Sequence, residues 1–135
     1  MTFVRPTLSK KNKFYINKYR QYELKYFCLQ YFYYKKCANS YDGYSKGSAE
    51  RVYTSNISKP TEKCYESREY YVSRIRVIEK AAKMCDPVLS DYILIGVTGN
   101  LSYEKIRART NIPCSKAVYY DLYHKFFFVL DRLCR

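Results

Sequence analysis

Three cations, Lys105, Arg107 and Arg109, stand at alternate positions in "EKIRART", and Ser115, Lys116, Tyr119, Tyr120 and Tyr123 follow in "CSKAVYYDLY". Lys and Arg pair with phosphate oxygens and so fix position on a duplex, whereas hydroxyl, ammonium and phenol groups reach base edges. The set has the chemistry of DNA contact: Lys105, Arg107 and Arg109 for phosphates, Lys116 and Tyr119 for bases, with Ser115, Tyr120 and Tyr123 beside them. The alternative is that the tyrosines pack inward against the first helix and the cations are solvated.

Bond-making chemistry is poorly represented. His124 is the single histidine, and a Cys114–His124 pair lacks the third, orienting group of a nucleophile site. Glu62, Glu66 and Glu69 share one side of a helix but alternate with Lys63 and Arg68, the pattern of a salt-bridged surface. Cys28, Cys37, Cys64, Cys85, Cys114 and Cys134 form no CxxC pair, so no zinc ribbon or finger is expected. The reading is no enzyme, no metal and no cofactor, with free thiols in a reducing cytoplasm. No apolar run resembles a signal peptide or spans a bilayer, so no membrane partner is expected.

Charge narrows the partner. Twenty-five Lys and Arg against 12 Asp and Glu leave +13, a field that attracts phosphate backbones or an acidic protein surface. Residues 1–38 hold nine cations against Glu23, and residues 101–135 hold seven against Glu104, Asp121 and Asp131. The positive field therefore belongs to the two ends of the chain.

These groups must be carried by helices, because no segment alternates polar and apolar residues for long enough to make a sheet. Residues 13–38 lack Pro and Gly and predict one long helix, with Tyr15, Tyr19, Tyr22, Tyr26, Leu29 and Tyr33 on one seam. Residues 39–60, rich in Ser, Gly and Asn, read as a loop. Ser58 and Pro60 then open a second long helix whose seam is Cys64, Tyr71, Ile75, Ile78, Ala82 and Cys85. The two seams match, within one chain or between two, so residues 13–38 and 61–85 also offer a homodimer contact. Asp86 and Pro87 open a short apolar helix that Gly96 and Gly99 help to end. Tyr103 to about Thr110 forms the next helix, entered through Leu101 and Ser102, with Ile106 inward. Ser115 caps a last helix with the stripe Val118, Leu122, Phe126, Val129 and Leu133. The expected organisation is all-α: a helical hairpin or dimerisation region over 1–85, and a helix-turn-helix unit over 86–135.

At this point the sequence resembles a known group. "LSYEKIRARTNIPCSKAVYYDL" is similar to sigma factor region four and to small phage regulators of the ArpU/RinA late-transcription type, with "YDGYSKGS" and "ISKPTEK" where that group has a loop. The resemblance covers roughly residues 40–135. It implies a phage or prophage transcriptional regulator that binds double-stranded DNA, with RNA polymerase or another nucleoprotein as a further partner. The sequence departs from the pattern in having Tyr120, Leu122, Tyr123 and His124 where basic residues would strengthen DNA contact. The same basic, tyrosine-rich surface fits a second class, an anti-defence protein such as an anti-CRISPR inhibitor that binds a protein or nucleoprotein target. A third class is the small DNA-recognition subunit of a phage packaging terminase.

Overall fold

The computed structural model describes the backbone of residues 10–40 and 58–135, and the side chains of residues 10–40 and 66–135. The loop expected over 39–60 falls largely outside the described residues, as do the side chains of Ser58, Pro60 and Cys64 in the second seam. Six helices and no strand occur among the described residues: α1 (Lys18–Leu29), α2 (31–40), α3 (Ser58–Cys85), α4 (Ser90–Gly99), α5 (Tyr103–Thr110) and α6 (Lys116–Leu133). The described residues are all-helical in their regular structure, as the periodicities require.

The first helix is shorter than expected. Asn12 and Asn17 act as turn and cap residues, their side chains accepting from the amides of Phe14 and Tyr19 at 2.9 Å, and this delays helix entry to Lys18. At Gln30 the backbone (φ −87°, ψ 1°) tightens, its amide bonding back to Phe27, and a new helix starts at Tyr31. The chain accordingly forms two compact units, one of Met1–Gln30 with Val77–Arg135 and one of Tyr31–Arg76.

In the second unit Tyr71 lies 6.4 Å from Tyr33 and 6.1 Å from Tyr34, ring to ring, and the Arg74 guanidinium stands 4.3 Å over Tyr70. The expected pairing of the first helical stretch with the second is thus made by α2. Helix α1 instead packs on α4 and α6.

The face that α1 buries also differs from the expected tyrosine seam. Tyr19 and Tyr26 are exposed, while Gln21, Leu24, Lys25 and Cys28 are buried. Both sets have helical spacing, so spacing alone does not choose between them. The buried set puts Leu24 and Cys28 into the core against α4 and α6. In the same orientation Arg20 Nε donates to Asp131 Oδ1 at 2.7 Å, while Arg135 holds the other oxygen at 2.9 Å. Burial pushes the Asp131 carboxyl up, but the hydrogen bonds from Arg20 and Arg135 outweigh it and hold the group below its ordinary value. A depressed acid stabilises the fold above its unfolded value near 3.8, and that contribution is lost as pH falls below it. Asp131→Asn is therefore expected to cost roughly 1–2 kcal/mol near neutrality, because the released Arg20 is partly solvated, and to flatten acid denaturation. Equilibrium denaturation at pH 7 and pH 3.5 checks both effects.

The core of this unit runs through Leu24, Cys28, Ile78, Ala82, Ile93, Val97, Ile106, Phe126, Phe127 and Leu130, all buried. Ile78, Ala82 and Cys85 are the inward end of α3 that its seam predicts. Lys125 closes that helix by donating to the Cys85 carbonyl at 3.3 Å. Asp86 accepts from the amides of Val88 and Leu89, so it caps the turn before α4. Asn100 (φ 52°), not a glycine, takes the left-handed position that ends α4. Gly96 is instead an interior packing residue.

Candidate nucleic-acid interface

Helices α4, α5 and α6 contact one another pairwise, and the α5–α6 connection is built from local rules. Ser102 Oγ accepts from the Lys105 amide, and Glu104 occupies the first turn, where a negative charge complements the helix dipole. Arg107 and Arg109 lie in the last turn, where positive charge is favoured. Asn111 ends α5 in the left-handed region (φ 57°), Ile112 plugs into the core, and Ser115 Oγ accepts from the Val118 amide to start α6.

Tyrosines brace this connection. The Tyr103 hydroxyl donates to the Cys114 carbonyl at 2.6 Å, and the Tyr103 amide donates to the Tyr120 hydroxyl at 3.1 Å. The two bonds tie the start of α5 to the turn and to α6. Ring contacts continue inward from Tyr103 to Tyr119 at 6.0 Å, from Tyr119 to Tyr123 at 6.2 Å and from Tyr123 to Phe127 at 5.1 Å.

This bracing overturns part of the expected DNA-binding set. Tyr119, Tyr120 and Tyr123 are 1%, 8% and 3% exposed, so they are core residues and reach no base. The apolar stripe expected for α6 is offset in the same way: Val118 is 45% exposed, and the helix buries its tyrosine edge together with Phe126, Phe127 and Leu130. Lys105, Arg107, Arg109, Ser115 and Lys116 are all exposed. Ala117 and Val118, which sequence reasoning did not select, join them on the first turn of α6. Lys116 Nζ meets Glu104 Oε1 at 2.7 Å, which holds the Glu104 carboxyl below its ordinary value and links the two helices across an exposed cleft of about 710 Å³. Arg107, Asn111 and Ser115 line the same cleft.

No cluster of His, Cys, Asp and Glu among the described residues could hold a metal ion. Burial pushes the Cys114 thiol up, with Asp86 adding to the effect, the reverse of what an activated nucleophile needs. No helix among the described residues is long and apolar enough to cross a membrane. No family model, curated protein or solved structure matches the chain.

Proposed function

We propose that the chain is a phage or prophage transcriptional regulator that binds double-stranded DNA through α4–α6 acting as a helix-turn-helix unit. The observation that carries this reading is the tyrosine-braced α5–α6 junction, which sets Arg107 and Lys116 beside one exposed cleft, with Lys105 and Arg109 exposed on another side of α5. Cations on α5 suit phosphates, and the first turn of α6 suits a groove. With the tyrosines buried, Ser115, Lys116, Ala117 and Val118 remain for bases, so much of the affinity is expected to come from the backbone and to be steeply salt-dependent.

Charge reversal at Lys116 and Arg109 tests this. Both side chains are exposed, so the melting temperature should hold while duplex affinity drops. The plot of log affinity against log salt should become shallower by about 0.9 for each phosphate that is no longer neutralised. A fully folded parent that binds no duplex in 50 mM salt would remove the reading. It would favour the second one, an inhibitor of a protein or nucleoprotein target, which the exposed Tyr19 and Tyr26 of α1 support.

A further inference from the structure

The N-terminal residues 10–14 form a turn that lies against the outer side of α6. Asn12 nucleates the turn, its side chain accepting from the Phe14 amide and its carbonyl from the Tyr15 amide. Phe14 packs on Phe128 of α6 with ring centroids 5.7 Å apart. A shallow cleft of about 270 Å³ is bounded on one side by Asn12, Lys13 and Phe14 and on the other by Asp121, Leu122 and Lys125. The aromatic pair anchors a cationic patch: Lys13 Nζ stands 5.0 Å over Phe14, Arg132 stands 4.8 Å over Phe128, and Lys10, Lys11 and Lys13 are exposed.

We infer that Lys10, Lys11 and Lys13 form a second phosphate-binding element, gripping the DNA strand across the groove from the one held by α5; this rests on the DNA-binding reading above. The first support is position along α6. Asp121 to Lys125 lie five to nine residues beyond Lys116, or about 7–14 Å at the helical rise of 1.5 Å per residue. A major groove is about 12 Å wide. The turn is thus seated beyond the first turn of α6, offset along the helix by a distance comparable with a groove's width. Asp121, beside the turn, carries the opposing charge and disfavours a phosphate at that one point.

The second support is covering. The turn occupies the outer side of α6 around Leu122 and Phe128, so only the helix's first turns are open to a groove. A basic turn seated there meets the backbone beside that groove. Lysines suit such a role, because a flexible ammonium neutralises phosphate without demanding a particular base.

The test replaces Lys10, Lys11 and Lys13 with Gln in the full chain and measures binding to a random-sequence duplex between 50 and 300 mM salt. Lys116→Glu with Arg109→Glu is measured beside it, as is a charge-matched control, Arg76→Gln, Lys80→Gln and Lys83→Gln, at exposed positions of α3. The lysine variant should melt like the parent, and its salt slope should be shallower by up to about 2.7, at 0.9 for each phosphate released. The control should shift the slope by less than the amount for one phosphate. If the parent binds and the α5–α6 variant weakens it, but the lysine variant binds like the parent or the control weakens binding equally, the second element is overturned and the DNA reading stands. If the parent binds no duplex, both fall together.

Discussion

Gly96→Ala is expected to destabilise the unit that carries α4–α6 by about 3 kcal/mol or more, beyond the usual range for overpacking, because the obstructing group is a braced aromatic ring. Gly96 lies inside α4, where alanine would ordinarily gain roughly 1 kcal/mol of helix propensity. A methyl group there would meet the Tyr119 hydroxyl well inside contact distance, with Tyr119 Cζ at 3.1 Å and Ile106 Cδ1 at 3.0 Å. Ile106 can turn its terminal methyl aside. Tyr119 is confined by its ring contacts with Tyr103, Tyr120 and Tyr123. Its hydroxyl is buried and has no hydrogen-bond partner among the described residues, and such a group costs roughly 1–3 kcal/mol.

Tyr119→Phe should therefore raise stability by about 1 kcal/mol, since it removes a hydroxyl that the fold leaves unsatisfied. In the double variant the new methyl occupies the space that the hydroxyl vacates, and stability should return close to that of the parent. Urea denaturation of the four proteins gives the coupling energy. Additivity of the two single changes would show that α4 and α6 do not meet as described.

The same residues show where sequence reasoning succeeds and where it stops. Caps are local, so Ser102, Ser115 and the span of α5 can be read from a few neighbouring residues. Ile78, Ala82, Cys85 and Ile106 follow from periodicity. The buried face of α6 does not, because by side-chain polarity Val118 and Leu122 are the more apolar choices for the inside. Partners reach two of the tyrosines, a turn carbonyl for the Tyr103 hydroxyl and a helix-start amide for that of Tyr120, while Tyr119 is held inside by its ring contacts. The rotation of α1 goes with its packing on α4 and α6 and with an ion pair between residues 111 positions apart, which no local pattern contains. For the candidate interface, the cations were legible as exposed, charged positions. The turn of Lys10, Lys11 and Lys13 was legible only as basic composition, until Phe14 and Phe128 placed it against α6.

Lys25→Met is expected to stabilise the chain by up to about 2 kcal/mol at pH 7, an unusual direction for the loss of a charge from a basic protein. Lys25 is 2% exposed. Its ammonium lies 5.6 Å from the ring centroid of Tyr123 and 5.9 Å from that of Phe127, an aromatic environment that compensates only partly for lost water. Burial accordingly lowers its pKa from 10.5 to about 8. A base whose folded pKa lies below its unfolded value destabilises the fold while both states are protonated. Below about pH 8 that penalty is complete, and it is relieved as pH rises from about 8 towards 10.5. In the parent this gain offsets the loss from the thiols of Cys28, Cys85 and Cys114, which burial holds protonated while unfolded thiols ionise near pH 9. The parent should therefore change little between pH 7 and 9.5, while Lys25→Met, which keeps the stem volume without the charge, starts higher and falls. Above that window the buried Tyr119 phenol, pushed up by burial, adds to the loss from the thiols as unfolded tyrosines ionise. Denaturant midpoints of both proteins at pH 7 and pH 9.5 decide the matter. A parent more stable than the variant at pH 7, or equal pH slopes in the two, would mean that the ammonium is well satisfied where it sits and that α1 carries no electrostatic penalty at this position.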